Sequence, residues 1–320
     1  MSHNLEMING EAAMAYAYRS AADTPWHRLG TPVPADLTPE QMLKAAKLDW
    51  TVDGVPLFAD VGDRKIKTGH KALVRSSDNY VIDVVTEDWN PVQNYEAFEF
   101  FNDFVAAGHM EMDTAGSLRN GRIVWALAKV NESFDLFGGK DRIDNYLLFT
   151  NPHQYGQSID IRATNIRAVC NNTLTAALHT KSKNVVKVNH RSVFDAEKVK
   201  EVMGASKARL QEYREAAEFL SQKRAKHEDI VSYFKRVFPV IGEAPEKEIS
   251  KSAERAISVL ETQPGAEFGR GTWWQAMNAA TYFVDHLAGR TDDTRLASAW
   301  YGQGARTKQN SMKHALEAAS

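Results

Sequence analysis

Residues 110–130 carry the sequence MEMDTAGSLRNGRIVWALAKV, which predicts the centre of the fold. Two segments with strand-like composition, 110–117 and 122–130, flank Arg119-Asn120-Gly121. An Asn-Gly pair between such segments favours a tight hairpin, because both residues tolerate the positive φ angles that the turn requires. We therefore predict an antiparallel hairpin here, with further antiparallel strands on both sides of it.

Strand patterns recur on each side of this hairpin. Upstream, they cover 50–58, 71–75 and 80–85, and turn residues 76–79 join the last two. Downstream, strands at 146–150 and 158–166 flank the turn at 151–156. Thr38 followed by Pro39 predicts the start of a helix that reaches Leu48. The aromatic spacing in 94–107 predicts a second helix, whereas the prolines in 1–37 predict an extended arm or loop.

The pattern turns helical in the second half of the chain. We predict helical structure over 168–179, a long helix over 195–225, and further helices at 228–238, 246–261, 272–288 and 306–318. The fold class is therefore α+β, with an antiparallel sheet and flanking helices in the N-terminal half and a helical C-terminal region. We divide the chain into an α+β domain with an N-terminal arm (1–192) and a helical region (193–320).

Composition limits the classes of site that this chain can hold. Cys170 is the only cysteine, which excludes disulfide frameworks and sites built from several thiolates. The histidines show no His-Glu-x-x-His spacing, and no stretch of 18 apolar residues exists. We therefore predict no catalytic residue, no metal, no cofactor and no membrane partner, and we expect a cytoplasmic protein.

Positive charge is concentrated in one part of a chain whose net charge is only -2. Residues 161–236 contain 16 Lys and Arg against 8 Asp and Glu, an excess of 8 positive charges. The run 161–191 contains no carboxylate at all. A solvated surface or a lysine-protected edge strand would show the same pattern, but the run also suits contact with a phosphate backbone.

The candidate site combines these cations with amides and exposed rings. Side chains of 160, 162 and 164 share one face of the predicted strand, which leads into a helix start suited to phosphate. Alternatively, Asp160 pairs with Arg162 across the surface. Aromatic residues in loops would stack on bases. The predicted nucleic-acid-binding residues are Trp26, Tyr155, Arg162, Arg167, Asn171, Asn172, Lys181, Lys183, Lys187 and Arg191.

Four motifs together resemble a phage/plasmid-like protein family that carries a domain of unknown function. They are Trp26-His27-Arg28-Leu29-Gly30-Thr31-Pro32, Val92-Gln93-Asn94-Tyr95-Glu96-Ala97-Phe98, Arg167-Ala168-Val169-Cys170-Asn171-Asn172-Thr173-Leu174 and Ala299-Trp300-Tyr301-Gly302-Gln303-Gly304-Ala305 with Lys308. The resemblance implies a bacterial host cell but no established chemistry. The order of three strands and a helix is also similar in layout to phage single-strand annealing proteins.

Three functions are open at this point. The first is a homo-oligomeric single-stranded-DNA-binding protein that promotes annealing, recombination or replication. The second is a metal-dependent enzyme acting on nucleic acid, with Glu96, Glu99, Asp103 or Asp160 as metal ligands. The third is a non-catalytic interaction protein, such as a host-defence inhibitor or an assembly factor. We favour the first, because cations and aromatic rings are what sequence-tolerant binding requires.

Overall fold

The computed structural model describes residues 5–19, 29–167, 172–174, 185–188, 210–240, 249–289, 295, 298–299 and 302–320. Strands fill the N-terminal half and most helices follow residue 210, so the predicted α+β class is confirmed. Contacts divide the chain into two compact units. The first comprises Met1–Asn131, Leu147–Arg162 and Ser182–Met203, and the second comprises Glu132–Tyr146, Ala163–Lys181 and Gly204–Ser320. The boundary near 192 stays a prediction.

The strands form three sheets. The largest has the order β12-β11-β10-β9-β8-β3-β4, with β13 also paired to β11, and the others are β5-β6-β7 and β1-β2. The strands are β1 (Met7–Ile8), β2 (Glu11–Ala12), β3 (Met14–Ala17), β4 (Thr31–Val33), β5 (Val52–Val61), β6 (Arg64–Arg75), β7 (Val81–Thr86), β8 (Met110–Leu118), β9 (Ile123–Leu136), β10 (Asp141–Pro152), β11 (Ile159–Arg167), β12 (Asn172–Leu174) and β13 (Val185–Val188). The Asn-Gly hairpin joins β8 to β9 as predicted, with Arg119 and Asn120 at positive φ.

The N-terminal segment contains regular strands, so the prediction of an irregular arm over 1–37 was wrong there. β3 pairs antiparallel with β8, and β4 pairs parallel with β3. Pro32 is tolerated because β4 is the last strand of the sheet, where one side of the strand needs no hydrogen-bond donor. Pairing with a strand that lies a hundred residues further along the chain overrides the local signal of the prolines.

Helices of the first unit bury their apolar residues together with the strands. Helix α1 (Pro39–Ala45) begins at Thr38 with a capping box in which Thr38 and Gln41 exchange hydrogen bonds. The predicted helix over 94–107 is divided into α2 (Asn94–Glu99) and α3 (Asn102–Ala106). Phe98 and Phe101 are buried, as their spacing predicted.

A strand replaces part of the helix predicted over 168–179. Residues 172–174 form β12, which pairs antiparallel with residues 165–167 of β11. The apolar spacing of a segment this short is compatible with either structure, and hydrogen bonding to the neighbouring strand decides between them. Our prediction of helical structure was therefore wrong at 172–174.

The second unit has its own core, built from helices and the ends of β9 and β10. Trp273 and Trp274 are buried at its centre, and Trp274 Nε1 donates a hydrogen bond to Asp141 Oδ2 at 2.9 Å. A single π-helical turn, Phe283–Leu287, continues α7. The helices are α4 (210–222), α5 (His227–Val237), α6 (Lys251–Ser258), α7 (Trp273–Tyr282) and α8 (Gln303–Ala319). None of the helices among the described residues has the length and apolar character to cross a membrane.

Candidate nucleic-acid interface

A two-stranded β-ribbon projects from the three-stranded sheet of the first unit. Strand β7 pairs with β6 only between His70 and Val74, whereas β5 and β6 continue to pair as far as Val61 and Arg64. Gly62 opens the tip turn at φ +61°, as a tight turn with glycine at its first central position requires. Nearly all side chains of the ribbon are exposed. We define the ribbon as residues 57–68.

Strands β5 and β6 are longer than the sequence analysis predicted. The first predicted strand ends at Phe58 and the next begins at Lys71, because charged residues interrupt the apolar pattern between them. The alternation of Leu57, Ala59 and Val61 is the signal that could have revealed the extension. Backbone pairing between the two strands holds the charged residues in extended structure although no core covers them.

One side of the ribbon carries an aromatic ring among lysines. The register pairs Phe58 with Lys67, Asp60 with Lys65 and Pro56 with Lys71, and directly opposed residues share a face. Phe58 is 55% exposed, so its ring is open to solvent. We call the set Phe58, Lys65, Lys67 and Lys71 the cationic face.

The lysines of the cationic face differ in their partners. Lys67 forms a salt bridge with Glu87, just beyond the end of β7. Among the described residues, no carboxylate forms a salt bridge with Lys65 or Lys71. The aliphatic part of Lys71 crosses Gly54, where a Cβ atom would lie only 2.8 Å from Lys71 Cδ. Glycine at this position therefore lets the Lys71 side chain lie flat along the sheet in the direction of Gly54, which is away from Phe58.

Tyr155, a predicted stacking residue, is attached to the same side of the sheet. Its backbone N–H donates to Asp83 Oδ2 at 2.8 Å. Asp83 is paired with Leu73, which shares a face with Lys71 two residues earlier in β6. Tyr155 is 57% exposed. The structure thus brings a residue named from sequence to the side of the sheet that carries the cationic face.

Arg162 has an internal partner. Its Nε and Nη2 atoms donate to the two carboxylate oxygens of Asp160 at 2.8 and 2.6 Å, and both side chains are largely shielded from solvent. The surface pairing that the sequence left open is therefore present. A bidentate arginine–carboxylate pair of this kind satisfies much of the donor capacity of the guanidinium group, so Arg162 is less suited to phosphate than predicted.

The remaining predicted residues are placed only in part. Arg167 ends β11, Asn172 begins β12, and Lys187 lies in β13 at the position that pairs with Asp160. The residues of the prediction that lie outside the described residues are Trp26, Asn171, Lys181, Lys183 and Arg191. The structure therefore leaves the contribution of the 161–191 run to binding as a prediction.

The carboxylates considered as metal ligands have local structural roles. Glu96 accepts a hydrogen bond from the Gln93 N–H at 2.8 Å and so caps α2. Glu99 ends α2, whereas Asp103 lies in the separate helix α3. Within the described part of the chain, no group of three or more His, Cys, Asp or Glu residues could hold a metal ion.

Comparison with known proteins identifies a family but no relative of known activity. Neither the curated proteins nor the solved structures contain a significant match. The model of a domain of unknown function, DUF932, matches residues 81–316. The matched region includes three of the four motifs noted above, and residues 26–32 precede it. Because this region is more than half of the chain, the protein belongs to the DUF932 family.

Proposed function

We propose that this protein binds single-stranded DNA along the cationic face of its β-ribbon. The observation that carries the proposal is an exposed Phe58 ring with Lys67 opposite it and with Lys65 and Lys71 on the same face of a projecting element that no core covers. Tyr155 adds a second exposed ring on the same side of the sheet. Lysines that lack a carboxylate partner can neutralise phosphates without first losing an internal ion pair.

Unpaired DNA suits this surface better than duplex does. The face of an exposed aromatic ring stacks on any base, provided that the base is not already stacked within a helix. A strand that follows the ribbon would place bases on Phe58 and phosphates near the flanking lysines. Stacking and charge neutralisation tolerate any sequence, so we expect little sequence preference.

The biological setting is part of the same proposal. The motifs resemble phage/plasmid-like proteins, in which a single-strand binder would serve recombination, annealing or replication of the encoding element. This assignment implies action in the cytoplasm of a bacterial host cell. It rests on the resemblance and on the chemistry of the cationic face together.

Fluorescence anisotropy with a labelled 40-mer of thymidines tests the proposal. We expect Phe58→Ala to weaken binding by about 1–3 kcal/mol, the usual contribution of one stacked base. We expect Lys65→Gln/Lys71→Gln to weaken binding and to lower the slope of log affinity against log salt by about 1.4, or about 0.7 for each lost phosphate contact.

The matched control is Lys44→Gln/Lys313→Gln, which removes two exposed lysines that already have carboxylate partners. Unchanged affinity in the ribbon variants, or an equal loss in the control, would contradict the proposal. A separate variant, Arg167→Gln/Lys181→Gln/Lys183→Gln, measures the contribution predicted for the 161–191 run. Excess unlabelled duplex should compete less well than unlabelled single strand.

A further inference from the structure

The side of the β5-β6-β7 sheet opposite the cationic face is aliphatic and exposed. The register places Val55, Ala72 and Val84 in one row across three strands, and Val74 pairs with Val81 in the next. Strand β5 has no inserted residue at the register shift near Pro56, so its side chains keep alternating towards the tip. The aliphatic face comprises Val55, Leu57, Ala59, Val61, Ile66, Val74, Val81 and Val84 around Ala72, which is only 5% exposed. The paired residues His70 and Thr86 lie on the same side of the sheet, next to Ala72 and Val84.

Solvent exposure of this face is unusual for its composition. Val55, Val61 and Ile66 are 47%, 58% and 51% exposed, and Val81 and Val84 are 49% and 45% exposed. The opposite side of the sheet supplies the core residues of this region, including Leu73 and Val85. A sheet with one side in the core normally has polar residues on the other side. A contiguous apolar surface of this kind marks an interaction site.

The edge of the sheet is protected, which favours docking on the face. The Val52 N–H and C=O on the outer edge of β5 are both hydrogen-bonded by the side-chain amide of Gln93. Pro56, further along the same strand, has no N–H to offer an added strand. A partner that extends the sheet through β5 is therefore disfavoured, whereas the aliphatic side chains themselves are open.

Two opposite charges lie at the ends of the aliphatic face. Asp53 shares its side of β5 with Val55, and Arg64 is paired with Val61 near the tip. The separation of eight residues along β5 corresponds to about 26 Å. Both side chains are exposed, and neither forms a salt bridge within the described residues. The face is therefore mainly apolar between a negative charge at its base and a positive charge at its tip.

We propose that this face binds the same face of a second copy of the chain around a two-fold axis. In an antiparallel arrangement, the tip of each ribbon lies over the base of the other sheet, so Arg64 of each copy meets Asp53 of its partner. A two-fold interface requires such a self-complementary surface. The cationic faces of the two copies then point outwards, away from the interface.

Sedimentation equilibrium of the full chain without DNA tests this inference. We expect a dimer for the wild type and a mass about twofold lower for Val55→Asp/Ile66→Asp, which places charges in the centre of the face. Both positions are half exposed, so the substitutions leave the core intact, and circular dichroism checks the fold. Val240→Asp, at an apolar position that is 39% exposed in the second unit, is the matched control and should remain dimeric.

Charge reversal distinguishes a second copy from an unrelated partner. Asp53→Arg and Arg64→Asp should each weaken dimerisation, because each places like charges opposite one another. The double variant Asp53→Arg/Arg64→Asp should restore it. A monomeric wild type at every concentration, an unchanged mass in Val55→Asp/Ile66→Asp, or no recovery in the double variant would overturn the inference. These masses are measured without DNA, so the outcome is separate from that of the DNA-binding test.

Discussion

Replacing Lys308 by Met should strongly destabilise the second unit, because it takes the Lys308 ammonium group away from the buried carboxylate of Asp285. Lys308 Nζ lies 2.8 Å from Asp285 Oδ1, and the two side chains are 1% and 5% exposed. At this distance and an effective dielectric constant of about 20, the attraction is about 6 kcal/mol. Much of that attraction offsets the cost of removing both charges from water, and losing one partner of a buried pair costs about 3–5 kcal/mol.

The pKa of Lys308 points in the same direction. Burial lowers it below the ordinary lysine value, and Asp285 opposes this shift only in part. The buried charge is therefore costly in itself. We expect the double variant Asp285→Leu/Lys308→Met, which removes both charges, to lie within about 1 kcal/mol of the wild type or to be more stable.

Urea unfolding followed by far-ultraviolet circular dichroism measures these differences. Lys313→Met is the matched control, since it removes a lysine of the same helix whose carboxylate partner, Glu317, lies 3.8 Å away on the surface. Such exposed pairs contribute at most about 1 kcal/mol. The reasoning is refuted if Lys308→Met is no more harmful than Lys313→Met, or if the double variant is as unstable as the single one.

Three further predictions concern single residues. A hydrogen bond from Arg75 lowers the pKa of Asp78 below 3.8, so ionised Asp78 makes the wild type more stable than Asp78→Asn above pH 3.8. This difference in the free energy of unfolding, measured by urea titration, should shrink as the pH falls through the lowered folded-state pKa. Gly304→Ala should cost about 1–3 kcal/mol in thermal unfolding, because its Cβ would lie 2.9 Å from the Ser298 carbonyl oxygen. Thr38→Ala should cost about 1 kcal/mol by removing the N-cap of α1, whereas the same loss for Thr38→Ser would contradict this role.

Local signals predicted the elements whose stabilising contacts lie close in sequence. The capping box of α1 joins residues three apart, and the turn between β8 and β9 depends on positive φ angles at the successive residues Arg119, Asn120 and Gly121. The Arg75 to Tyr80 turn was predicted for the same reason, and the Arg75 N–H donates to the Tyr80 carbonyl at 2.9 Å. Interactions over so few residues can be predicted from the sequence, because the residue types that form them are close together in the chain.

The candidate site was only partly predictable. Tyr155 was named from its loop and is exposed, but the internal pairing of Arg162 was one of two open alternatives until the geometry decided it. The sequence predicts Phe58 only as the last residue of a strand. Phe58 is exposed because β5 and β6 extend beyond the part of β6 that pairs with β7. The sequence does not show where one strand extends beyond the strand next to it.

The motif at 299–305 with Lys308 was also recognisable in the sequence, whereas its contacts were not predictable. Its glycines and lysine were noted from sequence without a role. In the structure, Gly304 permits close contact with the Ser298 backbone, and Lys308 pairs with Asp285 in the interior. Neither partner lies within the motif, so the motif alone could not reveal these contacts.

By itself, the sequence determined the α+β class, the caps, the tight turns and the apolar spacing of the principal helices, because each depends on neighbouring residues. The tertiary structure decided that residues 14–17 and 172–174 are strands, that β5 and β6 form a projecting ribbon, and that Lys308 is buried. These outcomes depend on hydrogen bonds and burial between segments far apart in the chain. The free energy of these contacts depends on which distant segment packs or pairs there, and the local propensity of a residue does not contain that information.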